Sequence, residues 1–279
     1  MVKINKFINL LSSSALISVL FISSATAEYL FTAPPRESAA KGLETYGPLV
    51  AKLSQIMGSE VKYVHPKNWP TYKKFVKSGD YDFVFDGPHF VSWRFNNTDV
   101  DPLVRLPGDI SFVLVAAKDN NMIKTKEDLI SRKICVIPSP HLGTLAIYSM
   151  FPNQVQQPKF VASAGGGFKK VYASFKAGKC DAAVFRESFY KHNMDDNARE
   201  ALKVLATSPT MTNQGITISK RVSADKQKKI AEFLVSKEGS EAADNLLKRF
   251  SKKNKKFIYT SKNEYDGQNL LVDNMIFGW

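Results

Sequence analysis

Tyr81–Arg94 reads YDFVFDGPHFVSWR, and this stretch sets the architecture expected of the whole chain. Tyr81 to Phe85 is rich in β-prone aromatics with a valine, which predicts a short buried strand. Asp86, Gly87, Pro88 and His89 interrupt the run, and Phe90, Val91 and Trp93 resume it at helical spacing. A strand that stops at Gly-Pro and passes into a helix leaves helix-start N–H groups at the edge of an α/β sheet where ligands bind.

The same alternation precedes this stretch. Tyr29–Ala33 reads as a strand ended by Pro34-Pro35, followed by a helix with Ser38 as N-cap and Gly58 as its stop. Glu60–His65 alternates as a second strand, Pro66–Pro70 reads as a turn, and a helix from about Thr71 stops at Gly79. Repeated β-α units predict a parallel sheet with right-handed crossovers. Leu103–Ala117, LVRLPGDISFVLVAA, is too long for one strand and reads as a crossing into a second lobe. There the order repeats. KICVIP (Lys133–Pro138) and the loop SPHLGT precede a helix. Phe160–Ser163 then leads into Gly165-Gly166-Gly167, a further helix, and Cys180–Phe185. Asp82 in GDYDFVF and Asp181 in GKCDAAVF occupy equivalent places. Asn213–Ile218 is a second extended crossing. Helices over 224–235 and 241–250 lead to a tail whose Leu270, Leu271, Val272, Met275, Ile276 and Phe277 are apolar enough to pack back on a lobe.

The first 27 residues have a basic start (Lys3, Lys6), an apolar stretch over 7–22 and the small-x-small site Ala25-Thr26-Ala27. That pattern predicts a secretory signal peptide cleaved after Ala27 and an exported mature protein. The apolar stretch is short for a membrane anchor, the alternative reading. The net charge of +13 is spread over helices, with one run at Lys252, Lys253, Lys255 and Lys256. With no aromatic-interleaved basic motif beside it, this charge predicts a solvated basic face that attracts anions, and no nucleic-acid partner. Cys135 and Cys180 are the only cysteines and stand near the starts of two predicted parallel strands. In an oxidising compartment they form either a disulfide or two buried thiols.

The chain resembles bacterial periplasmic substrate-binding proteins of the phosphonate/phosphite-binding type. The resemblance runs through APPRES, KSGDYDFVFDGP, SFVLVAAKD with KTKEDLISRKICV, AGGGFKKVYASFKAGKCDAAVFRESF and SPTMTNQGITIS. It implies a two-lobe type II periplasmic-binding-protein fold, each lobe a mostly parallel α/β sheet flanked by helices and joined by two hinge strands. The division expected is 28–111 with 219–279 for the first lobe and 112–218 for the second. It also implies an ABC importer permease as partner. A separate alternative is a sensor role, presenting the bound ligand to a membrane kinase through the same pocket. The protein is expected to act as a monomer, with no cofactor and no catalysis. A nucleophile elbow, a Cys-His pair and a two-carboxylate arrangement are all missing from the sequence.

In the family, phosphorus oxygens are held by a hydroxyl-rich loop opening a helix of the second lobe, which places Ser139, His141, Gly143 and Thr144 at the ligand. Only Ser139 and Thr144 carry hydroxyls there. From the residues themselves, Arg36 after the first strand is suited to grip an oxyanion or carboxylate, unless it pairs with Glu37. Asp86, Gly87, Pro88 and His89 should edge the cleft, and Trp69 and Tyr72 line its wall. Arg186 and Glu187 close the strand of the second lobe. Arg186 beside Glu187, and Asn213-Gln214 where an acid would serve an amine, point away from an aminophosphonate. The expected ligand is a small oxyanion or anionic organic molecule. A transition-metal site from Asp86, His89, His141 and Glu187 is the alternative.

Overall fold

The computed structural model describes residues 28–163, 167–251 and 256–273. The expected signal peptide, Gly165-Gly166, the lysines 252–255 and Met275–Phe277 lie outside the described residues.

The chain begins with β1 (Tyr29–Thr32), α1 (Ala39–Met57), β2 (Val61–Tyr63), α2 (Trp69–Ser78), β3 (Phe83–Asp86), α3 (Pro88–Asn97) and β4 (Val100–Arg105). It crosses through β5 (Asp109–Ile110) to β6 (Phe112–Ala117), then β7 (Lys133–Val136), α4 (Leu142–Tyr148), β8 (Lys159–Ala162) and α5 (Phe168–Lys176). The same half continues with β9 (Ala182–Arg186), α6 (Glu187–His192), α7 (Asp196–Glu200) and β10 (Leu202–Thr207). A return crossing through β11 (Met211–Thr212) leads to β12 (Gly215–Ser219), α8 (Ala224–Val235), α9 (Lys237–Ala242), α10 (Asp244–Phe250), β13 (Ile258–Tyr259) and α11 (Leu270–Asp273).

Local chemistry explains the boundaries. The Ser38 hydroxyl accepts the Lys41 N–H at 3.4 Å to cap α1, and Gly58 ends it at φ +61°. Asn68 accepts the Thr71 N–H at 2.8 Å, so α2 starts at Trp69 and includes Pro70 in its first turn. The turn expected over Pro66–Pro70 is therefore shorter, because proline fits the first helical turn without losing a bond.

Two sheets result, in the orders β13-β4-β12-β3-β1-β2 and β10-β6-β9-β7-β8. In each, three strands run parallel (β2, β1, β3; β8, β7, β9) and one antiparallel strand sits against the third (β12 on β3; β6 on β9). This is a mixed α/β fold of two sheets flanked by helices. The repeat extends to single hydrogen bonds. Asp82 Oδ2 accepts the Leu30 N–H at 2.8 Å, and Asp181 Oδ2 accepts the Lys133 N–H at 2.9 Å. An aspartate before each third strand thus ties down the start of each first strand. One expected boundary changes. A division after residue 218 assigns β12 to the second lobe, whereas β12 pairs with β3 and β4 and buries Ile216 and Ile218 in the first lobe's core. Its alternating apolar residues fit a strand in either sheet, and the crossing lies just before it.

The crossings themselves pair as β5 with β11. Leu106 N–H donates to Gln214 O at 2.8 Å and Asn213 Nδ2 donates to Pro107 O at 2.9 Å. The Tyr265 hydroxyl, from a short 3-10 turn near the C-terminus, donates to Asn213 O at 3.2 Å. Gly215 allows this approach, since a Cβ there would lie 2.4 Å from Tyr265 Oη. Beyond it, Val272 of α11 is buried with Phe90 and Trp93 of α3 and Leu145 of α4, so the tail packs where the two lobes meet.

Cys135 of β7 and Cys180, just before the neighbouring β9, form a disulfide, their Cα atoms 5.5 Å apart. The bond closes a loop with a sequence separation of 45. Loop-closure entropy for that length predicts that Cys135→Ser/Cys180→Ser loses about 2–4 kcal/mol of stability in urea titration. Equal midpoints for this variant and the oxidised protein would contradict it.

Candidate functional site

The C-terminal ends of β1, β3, β7 and β9 carry the loops that face between the lobes, and their side chains fall into two groups. In the first, every carboxylate is already committed. Asp86 is fully buried, and its Oδ2 accepts a hydrogen bond from the Tyr72 hydroxyl and lies 3.8 Å from Arg94 Nη1. Arg94 is itself 2% exposed. Burial raises the Asp86 pKa, while Arg94 and, farther off, Arg36 oppose that shift. Asp86 and Tyr72, expected at the ligand, thus form an interior ion-pair network with Arg94. Glu37 pairs with Arg249 Nη2 at 2.5 Å and not with Arg36. Glu187 accepts from the Ser111 hydroxyl and pairs with Lys191 at 2.6 Å.

The second group is cationic or neutral and holds no acid. Arg36 follows the rigid Pro34-Pro35 step. Its Nη1 donates to Gln214 Oε1 at 3.2 Å, and its guanidinium lies over the Phe250 ring at 5.5 Å. Arg186, ending β9, is half-buried, and that burial lowers its pKa; it has no carboxylate partner among the described residues. His89 occupies the first turn of α3 at 3% exposure, with Nε2 at 3.3 Å from Pro140 O of the opposite lobe. His141 caps α4, its Nδ1 accepting the Gly143 N–H at 3.1 Å, and sits edge-on to Phe112 and Phe168. Burial pulls both imidazole pKa values down to about 3, reinforced for each by the positive charge of Arg36. Both rings are neutral at physiological pH.

The remaining expected residues have structural positions. Gly87 and Pro88 start α3, and Trp69 packs half-buried on Tyr72 and Phe90. Ser139 is half-buried in the loop before α4. The Thr144 hydroxyl donates to Ile137 O, and Gly143 leaves room for the Phe112 ring. The alternative metal set is not assembled. Asp86 and Glu187 are held elsewhere, and no group of three or more His, Cys, Asp or Glu able to hold an ion occurs among the described residues. Arg94, Arg249 and Phe250 lie outside the expected site residues, and Gln214 is expected there only as a neutral residue where an acid would serve an amine. Only the apolar residues around Arg94 could have hinted at a buried guanidinium.

The sequence profile of periplasmic phosphonate substrate-binding proteins of ABC transporters matches residues 31–265. The chain belongs to this family. As a family member it is a transporter substrate-binding protein rather than an enzyme, exported to the periplasm and delivering its ligand to an ABC permease. No helix among the described residues is long and apolar enough to cross a membrane. Among solved structures, XAC2383 from Xanthomonas citri bound to ATP is similar at TM-score 0.71 and 10% identity, covering 89% of this chain and 98% of that one. PhnD1 from Prochlorococcus marinus in complex with methylphosphonate follows at TM-score 0.64 and 15% identity, with 88% and 97% covered. A phosphonate-transporter binding protein from Pseudomonas aeruginosa gives 0.57 and 14%, with 88% and 84% covered. These likenesses establish the type II binding-protein fold. A comparison with curated protein sequences returned no significant match.

Two predictions separate the groups. Asp86→Ala leaves Arg94 buried without its carboxylate and should lower stability by about 3–5 kcal/mol in urea titration; a loss under about 1 kcal/mol would show that the pair is not a structural anchor. For the imidazoles, folded values near 3 stand against an ordinary 6.5. The unfolded chain therefore binds more protons between those limits, and stability present at neutral pH is lost as pH falls from about 6.5 toward 3. Each ring contributes on the order of 1 kcal/mol per pH unit. Comparing urea midpoints at several pH values, His89→Asn/His141→Asn should flatten the acid limb, and an unchanged slope would contradict neutral burial.

Proposed function

We propose that this family member captures a small tetrahedral oxyanion, phosphonate- or phosphate-like, between its two lobes. The observation that carries this reading is an imbalance of partners. Arg36 of the first lobe and Arg186 of the second have no carboxylate partner among the described residues, while Asp86, Glu37 and Glu187 are all paired. Guanidinium forks match oxyanion geometry, and partial burial strengthens each contact by excluding water. His141 lies in the field of both arginines, which supports their convergence on one space. With Asp86, Glu37 and Glu187 all committed among the described residues, the favoured ligand carries no amine, as is true of the methylphosphonate bound by PhnD1.

On this reading Arg36, Arg186, His89, His141 and Ser139 contact the ligand, and Gly143, Thr144, Gly87 and Pro88 shape the loops that present them. The lobes, 28–106 with 214–273 and 110–208, close about the paired crossings. The signal peptide is removed after Ala27, and the protein acts as a monomer that docks on the importer's permease.

Calorimetric titration with methylphosphonate and with phosphate tests this. Arg36→Ala and Arg186→Ala should each weaken binding by about 10- to 100-fold, the loss expected of a charge-assisted hydrogen bond, with far-UV circular dichroism unchanged. Undiminished affinity in both variants would remove the arginine clamp. A protein stabilised by divalent metals alone would remove the oxyanion reading.

A further inference from the structure

Each of the two neutral imidazoles between the lobes has one nitrogen whose role is fixed by its partner. His141 Nδ1 accepts the Gly143 N–H, so its ring proton sits on Nε2 and that nitrogen is a donor. His89 holds the same tautomer for a different reason. Its Nε2 lies 3.3 Å from Pro140 O, and a carbonyl oxygen only accepts. The His89 proton is therefore on Nε2, and Nδ1 is a bare acceptor. His89 is 3% exposed, and Nδ1 is buried with no hydrogen-bond donor among the described residues. Gly87 leaves that edge of the ring free of a side chain, since a Cβ there would stand 2.7 Å from His89 Cε1 and 3.0 Å from Nδ1.

Arg36, from the loop after β1, and His141, from the cap of α4, both act on the His89 ring. Arg186, from the end of β9, acts on His141. Asp86 does not compete for a ligand proton, being held by Tyr72 and Arg94. A fully deprotonated oxyanion offers only acceptors and would face His89 Nδ1 with a lone pair. A singly protonated one offers a hydroxyl.

We propose that His89 Nδ1 accepts the hydroxyl of the captured oxyanion, so that the site takes the monoanion of a phosphonate and rejects a sulfonate of equal charge and shape. The inference rests on the oxyanion reading given under Proposed function and adds a specificity element to it. It makes His89 a discriminating residue, with Gly87 and Pro140 positioning its ring. A site built to pair a ligand hydroxyl discriminates strongly against the analogue that lacks it, because its own buried polar atom is then left unpaired.

Methylphosphonate and methanesulfonate provide the test, since the monoanion of the first differs from the second by one proton and the central atom. Titrations are made at about pH 5, below the second ionisation of a phosphoryl group near 6. The wild-type protein should bind methylphosphonate at least about 100-fold more tightly than methanesulfonate. His89→Phe should lower methylphosphonate affinity about 10- to 100-fold and leave methanesulfonate binding no weaker. His89→Asn, whose carbonyl oxygen takes the place of Nδ1, should keep the preference. Equal binding of the two anions by the wild-type protein would overturn the inference and leave the oxyanion reading standing. Binding of neither would overturn both. The wild-type comparison decides the matter even if His89→Phe does not fold.

Discussion

A guanidinium buried almost completely, that of Arg94, sits under the start of α3 with Asp86 as its counter-ion and Tyr72 as the hydrogen-bond donor that completes the carboxylate. Taking two charges out of water is expensive, and their attraction repays it only with fixed geometry. The geometry fixed here is the β3–α3 turn. Asp86 ends β3, Gly87 and Pro88 open α3, and His89 follows, so the network sets where the His89 ring points. Asp86 also lies directly beside Gly215 in the β3–β12 register. The strand that returns from the second lobe is therefore seated against the same buried pair. Cleft wall and hinge exit share one anchor.

From that anchor the hinge reaches the ligand space in two steps. Gln214 immediately precedes Gly215. Its carbonyl holds the outgoing chain at Leu106 while its side chain receives Arg36. Any rotation about the paired crossings changes the position of the group that orients Arg36. In hinge-bending proteins a few residues at element ends absorb the change in backbone angles. Here those residues also hold Arg36, a cation of the proposed site, so on that reading lobe angle and arginine position are mechanically linked.

Much of this was legible in the sequence because it depends on local chemistry. The strand-helix order, the Ser38 cap and the Gly58 and Gly79 stops depend on residues close in sequence, and the Asp82/Asp181 correspondence shows as a repeated pattern. What could not be read was the allocation of charges. Asp86 stands in a Gly-Pro turn that faces a ligand edge in many α/β proteins, yet its partner is Arg94, eight residues on and inside the fold. Glu37 adjoins Arg36 in sequence but pairs with Arg249, and Glu187 adjoins Arg186 but turns to Ser111 and Lys191. Sequence neighbours at a strand end point in different directions, so adjacency predicts composition of a site better than it predicts pairing. The position of β12 was hidden for a related reason, since its alternation is satisfied equally by either sheet.

These allocations bear on how closure is controlled. Arg36 and Arg186 belong to opposite lobes, and neither has a neutralising carboxylate partner among the described residues. Bringing two such cations into a partly desolvated space raises their mutual repulsion, which grows as the effective dielectric falls. Neutral His89 and His141 add no charge to that repulsion, and the His89–Pro140 contact across the lobes is a single hydrogen bond to a neutral acceptor, worth only about 1 kcal/mol. On the proposed reading an anion between the arginines reverses the sign of the dominant electrostatic interaction, while a neutral molecule of the same size leaves it repulsive. Ligand charge then sets the balance between open and closed forms, because a ligand shifts that equilibrium only by its difference in affinity for the two.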